Sequence, residues 1–241
     1  MSTTLVIAGL VRMSTCDWPG RLVATVFTQG CPWRCTYCHN LGLLDPTVVG
    51  AMTWSEVRGF LERRVGLLDG VVFSGGEPTR QAALGAALRE VRDLGFSTGL
   101  HTSGAYPRRL AEVIDSLDWV GLDIKAIPAE YPQVTGALNS ADRAFASLGV
   151  VVASGVAHEV RITVDPTIHR ETSIYALVEL LVEKGAAAIV LQEARPEGTS
   201  PAYTKALAAR HLRDVLTSPP PGEALPLTAP TVGGTCRKSG E

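Results

Sequence analysis

The stretch GVVFSGGEPTRQAALGAALREVRDLGFSTGLHTSG, residues 70–104, decides the fold class. Its opening, GVVFSGGEP, is a short apolar run that halts at paired glycines, which predicts a strand over residues 70–78. RQAALGAALREVRDLG, residues 80–95, predicts a helix with a glycine at its C-terminal end. STGLHTSG, residues 97–104, predicts a second strand and a turn. Strand, helix and strand in this order form a βαβ unit, which pairs its strands in parallel through a right-handed crossover.

The rhythm continues in both directions. Upstream, VATVFTQG (residues 23–30) predicts a strand, and TWSEVRGFLERRV (53–65) a helix with Thr53 as N-cap and Val57, Phe60, Leu61 and Val65 on one face. Downstream, residues 107–117 predict a helix and 118–126 a strand that ends in charged residues. ADRAFASLGVVVASG predicts helix over at least its first half. A strand (158–166), a helix (171–185), a buried strand (186–194) and a last helix (201–216) follow. Six parallel strands are fewer than the eight of a closed (β/α)8 barrel, so the expected fold is α/β, a partial (β/α)6 barrel. Residues 217–241, rich in Pro, Gly, Ser and Thr, are expected to form a loosely packed tail after one domain over residues 1–216.

Composition narrows the function. The 241 residues are 46% hydrophobic and 19% charged, enough for a sizeable core, with a net charge of −2 and no basic stripe that would favour nucleic acid. The first residues lack a basic segment followed by a long apolar run, and no stretch approaches the ~20 apolar residues of a membrane helix. A cytoplasmic protein with no membrane or nucleic-acid partner is expected. Its five cysteines, an odd number, point to reduced thiols or metal ligands rather than a disulfide framework.

The polar and glycine positions share one location, the C-terminal ends of the predicted strands, where parallel α/β folds bind ligands. Cys31, Cys35 and Cys38 follow the first strand, and Ser74 to Glu77 end the second. His101 to Gly104, then Asp123 and Lys125, end the third and fourth. Arg161 lies in the fifth, and Gln192 to Arg195 end the sixth. Three thiols in GCPWRCTYCHN leave one ligand position of a closed zinc site unfilled. His39 adjoins Cys38 too closely to complete it, and Cys16 and Cys236 are distant in sequence. Two readings follow from the cysteines: a structural zinc knuckle completed from elsewhere, or a cluster with three protein ligands and one open iron.

The C-x3-C-x2-C spacing with Tyr37 before the last cysteine, followed by SGGEP at residues 74–78, resembles the radical S-adenosylmethionine superfamily. The opening MSTCDWPGRLVATVFTQGCPWRCTYCHN, the later LDIKA, VTG at residues 134–136 and VRITVDP at 160–166 are similar to glycyl-radical enzyme activases. The form most resembled is the one that serves anaerobic ribonucleoside-triphosphate reductase, with pyruvate formate-lyase activases next to it. The resemblance implies a 4Fe–4S cluster on Cys31, Cys35 and Cys38, whose open iron chelates S-adenosylmethionine. Reductive cleavage would give a 5′-deoxyadenosyl radical that abstracts hydrogen from a partner's glycine, with flavodoxin or ferredoxin as electron donor. It further implies that Tyr37, Gly75, Gly76, Glu77, Thr102, Asp123, Lys125, Arg161 and Gln192 surround the cofactor.

Each of these has a plainer reading. Gly75 and Gly76 could simply end a strand, Glu77 could cap the next helix, and Tyr37 could be plain packing. Asp123 and Lys125 could be a surface ion pair, and an inward Arg161 could pair with Glu193. His101 departs from the resemblance, since activases of the formate-lyase type carry Asp there. His158, His169 and His211 have no clustered partners in sequence and read as ordinary. Residues 41–70 contain no cysteine, so no auxiliary cluster is expected there, in keeping with the reductase and formate-lyase types. Small-molecule radical enzymes with the same core, such as deazapurine synthases, and non-catalytic metal-binding modules remain as alternatives.

Overall fold

Strands β2 (Val23–Thr28), β3 (Gly70–Gly75), β4 (Ser97–Thr102), β5 (Trp119–Asp123), β6 (Ala157–Val164) and β7 (Ile189–Glu193) lie side by side in sequence order, all parallel. This is a computed structural model, and it describes residues 4–218. Because strand order never reverses, every crossover turns the same way and the helices share one face of the sheet. The sheet therefore curls, leaving a concave face lined by the other set of side chains. It ends at edge strands rather than closing, which gives the partial barrel.

Alternation along the strands separates the two faces. Val26, Phe73, Leu100, Leu122, Ile162 and Leu191 pack outward into one large core. That core includes α1 (Trp54–Glu62), α2 (Leu84–Asp93), α3 (Pro107–Val113), α5 (Ser140–Ser154) and α6 (Glu171–Glu183). Thr53 caps α1 as expected: its hydroxyl accepts the Glu56 N–H at 3.2 Å and Glu56 Oε2 accepts the Thr53 N–H at 2.7 Å. Val57, Phe60 and Leu61 are buried, but α1 stops at Glu62 and leaves Val65 outside, exposed.

Several boundaries differ from the sequence reading. An additional strand, β1 (Ile7–Ser14), pairs antiparallel with β2 and forms one edge. A βαβ rhythm carries no information about it, because hairpin pairing needs no crossover. Helix α5 covers the stretch to Ser154, where at least its first half was expected, since Val151 on the buried face continues its packing. Strand β7 starts at Ile189 and is only half buried, as an edge strand must be. The last helix breaks in two, α7 (Pro201–Leu207) and α8 (Leu212–Val215), at Ala208, whose φ is 49°. A short helix, α4 (Tyr131–Thr135), lies between β5 and α5 and ends at Gly136 with φ 70°. Among the described residues no helix is long and apolar enough to cross a membrane. The tail expected over 217–241 lies, beyond Ser218, outside the described residues, and Cys236 with it.

The β1–β2 connection builds the floor of the concave face. Trp18 is buried and stacks on Trp119, with ring centroids 5.4 Å apart. Gly70 and Gly99 make room for it: a Cβ on Gly99 would lie 2.9 Å from the indole, and one on Gly70 3.2 Å. The adjacent Asp17 accepts the Thr25 hydroxyl on its side chain at 2.7 Å and the His101 Nε2–H on its carbonyl at 2.6 Å. The D-W-P-G turn is thus a plug that closes one end of the barrel and leaves the strand C-termini open.

Candidate functional site

The open end holds a cavity of about 800 Å³, the size range of cofactor sites. Cys31, Cys35 and Cys38 line it from the loop after β2. That loop begins where Gly30 and Cys31 donate N–H bonds to the carbonyls of Leu43 (2.8 Å) and Leu44 (3.1 Å). It is held at its middle by Arg34 and Thr36, whose N–H groups donate to Thr135 (2.9 Å) and Val134 (3.0 Å) at the end of α4. The Cys38 N–H turns back to the Cys35 carbonyl at 3.1 Å. All three thiols are half-buried, and none is in a disulfide. Burial pushes the Cys31 thiol up to about 12, with the Glu77 carboxylate adding to the effect, and burial raises Cys35 as well. Among the described residues no three His, Cys, Asp or Glu side chains converge on a point that would hold one metal ion. A four-iron cube needs its ligands spread around a larger object, and a loop presenting three thiols to a cavity has that form.

Gly75 and Gly76 line the cavity, and their lack of side chains also meets a need of the protein's own packing. A Cβ on Gly75, whose φ is 110°, would come within 2.4 Å of the Thr28 nitrogen. One on Gly76 would come within 2.4 Å of the Gly30 carbonyl. The Gly76 and Glu77 N–H groups donate to the Thr28 and Gly30 carbonyls, each at 2.9 Å. The glycine turn is therefore docked against the base of the cysteine loop, and any side chain there would push the two apart.

Glu77 stands behind the wall rather than on it. Its carboxylate is fully buried and receives the N–H and hydroxyl of Thr79, the Thr102 hydroxyl, and the N–H and hydroxyl of Ser103. It does cap the following turn, a 3-10 segment at Pro78–Arg80, and it also fixes Thr102 and Ser103, which face the cavity.

Asp123 and Lys125 are not a surface pair. Lys125 has an 8% exposed side chain, with Nζ 3.3 Å from Asp123 and 5.5 Å from the centre of the Tyr37 ring. Burial alone would lower its affinity for the proton, yet it is held well above the ordinary lysine value, with the Asp123 carboxylate as the counter-charge beside it. Tyr37 is buried beneath this cation, and its hydroxyl has no hydrogen-bond partner. Burial drives its phenol well up, so the ring stays neutral.

Arg161 pairs with Glu159, Nε to Oε1 at 2.6 Å, and not with Glu193, which instead accepts from His211 and the Leu212 N–H. Register explains this: Glu159 and Arg161 alternate onto the same concave face of β6, whereas Glu193 ends β7. The guanidinium lies over Trp119 at 5.2 Å, and Gly121 leaves the space, since a Cβ there would sit 2.9 Å from Cζ. His101, T-shaped on Trp119 at 5.6 Å, donates from Nε2 to the Asp17 carbonyl and accepts the Ser74 hydroxyl at Nδ1, 3.2 Å. Burial, with Arg161 nearby, pulls it down to about 3, so it is a neutral strut. Gln192 faces the cavity from β7.

Of the predicted residues, all but Glu77 line one cavity. The sequence reading missed Glu159 and Thr163, which also line it, although their period-2 spacing with Arg161 was a usable signal. His169 is not ordinary: it is buried, its Nδ1 accepts the Asp165 N–H at 2.9 Å, and its Nε2 is a buried atom without a partner.

The Radical SAM superfamily model matches residues 25–183. A Methanocaldococcus jannaschii protein named as a glycyl-radical enzyme activating enzyme is 35% identical over 122 residues, 49% of this chain and 50% of that protein. The pyruvate formate-lyase-activating enzyme of Clostridium pasteurianum is 33% identical over 136 residues, 54% and 57% of the two chains. The chain thus spans about half the length of these curated relatives. Streptococcus suis SuiB bound to S-adenosylmethionine superposes with a TM-score of 0.58 at 16% identity, over 73% of this chain and 40% of that one, a likeness of fold alone.

Proposed function

This chain belongs to the radical SAM superfamily, whose members use a 4Fe–4S cluster and S-adenosylmethionine, and from that premise we propose that it is a glycyl-radical enzyme activating enzyme. When bound, the cluster and cofactor supply one-electron chemistry that removes a hydrogen atom from a substrate carbon. The observation that carries the reading is the cysteine loop braced by the Gly75–Gly76 turn at the rim of the cavity. The Methanocaldococcus and Clostridium relatives both bear activating-enzyme names.

In this reading Cys31, Cys35 and Cys38 hold the cluster. Gly75 and Gly76 offer main-chain acceptors to an amino group, and Lys125, with donors to spare, faces a carboxylate. Tyr37 borders the base, Asp123 meets ribose hydroxyls, and Arg161 and Gln192 close the far wall. The floor plug at Trp18 excludes water from below. The partner's glycine enters through the gap between the β1 and β7 edges, where Pro19 and Val190 face the same cavity.

We assign the partner as anaerobic ribonucleoside-triphosphate reductase, on the resemblance of residues 5–200 to the activases that serve it, with a flavodoxin or ferredoxin as electron donor; the Y-C-H-N ending and the cysteine-free residues 41–70 fit this type and the formate-lyase type alike. Pyruvate formate-lyase is the second reading, favoured by the Clostridium relative. The test is anaerobic: reconstituted protein, reductant, S-adenosylmethionine and each candidate partner, read by electron paramagnetic resonance. A glycyl doublet on the reductase alone is expected. A doublet on formate-lyase alone transfers the assignment, and none on any glycyl-radical partner overturns the activase reading. One zinc per chain without labile sulfide would sink the radical reading itself.

A further inference from the structure

Among the described residues, one side-chain hydrogen bond ties the cysteine loop to the residue just after β6, the strand that forms the far wall of the cavity. The Thr36 hydroxyl donates to Asp165 Oδ2 at 3.2 Å, across 129 residues of sequence. Thr36 directly follows Cys35, and its N–H is already fixed to the Val134 carbonyl. Asp165 directly follows β6, the strand that presents Glu159, Arg161 and Thr163 to the cavity, and it is fully buried.

Asp165 is itself held from every side. Its Oδ1 accepts the N–H and hydroxyl of Thr167 at 2.9 and 2.7 Å. Its N–H donates to His169 Nδ1 at 2.9 Å and its carbonyl accepts the His169 N–H at 2.8 Å. With Nδ1 accepting, the His169 proton is on Nε2, a buried atom without a hydrogen-bond partner. A chain of hydrogen bonds thus runs from the residue between two cysteines, through a carboxylate, to a buried imidazole. Oδ1 serves the turn between β6 and α6, and Oδ2 accepts from the cysteine loop.

We infer that Asp165 is a positioning residue that, through Thr36, sets the Cys35–Cys38 segment relative to the β6 wall, so that cluster and cofactor pocket stay in register. The inference rests on Cys31, Cys35 and Cys38 holding the cluster. Supporting groups behind metal ligands are worth roughly 10- to 100-fold in metal retention.

The experiment compares wild type with Thr36→Val, Thr36→Ser, Asp165→Ala and the double variant Thr36→Val/Asp165→Ala after anaerobic reconstitution. Iron retained against a chelator and the resonance line shape of the reduced cluster are read, with the thermal midpoint as control. Thr36→Val should lose about tenfold in iron retention and broaden the line shape. Thr36→Ser, which keeps the hydroxyl, should match wild type, and the double variant should be no worse than Asp165→Ala. Wild-type retention and line shape in Thr36→Val, or losses in Thr36→Val and Asp165→Ala that simply add, would overturn the inference. If Asp165→Ala does not fold, the Val and Ser pair at Thr36 still decides. Wild type that takes up no iron would instead sink the cluster assignment, so the two failures are distinguishable.

Discussion

Glu77 and Lys125 are two buried charges at the ends of β3 and β5, and the fold satisfies them in opposite ways. Glu77, fully enclosed, accepts five hydrogen bonds from neutral donors on Thr79, Thr102 and Ser103. Lys125, 6% exposed overall, uses Nζ for one contact at 3.3 Å and rests on an aromatic face. A carboxylate with its acceptor sites filled has nothing left for a ligand; it is framework. An ammonium with unused donors beside a cavity has capacity that only a ligand or water completes. Two residues that look equally functional in sequence thus divide into scaffold and site by how completely their neighbours satisfy them.

The widest separation between them should come from Glu77→Ala, which strands several buried donors at once. It should cost about 3 kcal/mol or more of stability by chemical denaturation. A loss under about 1 kcal/mol would mean the carboxylate is not framework at all. Lys125→Met should behave the other way. Its partner Asp123 is 42% exposed and can turn to water, so the fold should lose only about 1 kcal/mol, while S-adenosylmethionine affinity, by equilibrium dialysis, falls about tenfold or more. Unchanged affinity would place Lys125 with the framework.

The floor offers a third case, a buried group satisfied by staying neutral. Folding lowers the His101 value from 6.5 to about 3. The unfolded chain therefore binds its proton first as pH falls, so stability is full above pH 6.5 and declines between there and about 3. Arg161, Asp17 and Asp123 surround this imidazole, and His169, also lowered by burial, tilts the profile the same way. His101→Asn should make the slope shallower without abolishing it; an identical slope would mean His101 is not the group that titrates. The smallest effect belongs to a charge at the surface. Arg58, about half exposed and 3.6 Å from Glu62, should lose no more than about 0.5 kcal/mol on replacement by Ala. A larger loss would show that charge, rather than enclosure, ranks these groups.

Much of this architecture is legible in the amino-acid sequence. The six parallel strands, Thr53 as cap and the gathering of polar residues at the strand ends around one cavity rest on periodicity and local chemistry, which sequence carries directly. Strand β1 is not legible, because an antiparallel edge strand lies outside the βαβ rhythm. The break at Ala208 is not either, because nothing in PAYTKALAARHL signals a left-handed residue there.

By itself, the sequence determined which chemistry is present: three thiols at x3 and x2 spacing, a glycine turn one strand later, and polar residues at every parallel strand end. Those are short-range patterns, fixed within a loop or a single strand. Only the tertiary structure decided what each residue faces. It gave Arg161 to Glu159 rather than Glu193, turned Gly75 and Gly76 toward Thr28 and Gly30, placed Glu77 behind the wall and tied Thr36 to Asp165. Such pairings depend on strand register and on segments up to 129 residues apart, and no local pattern encodes which side chains will be packed together.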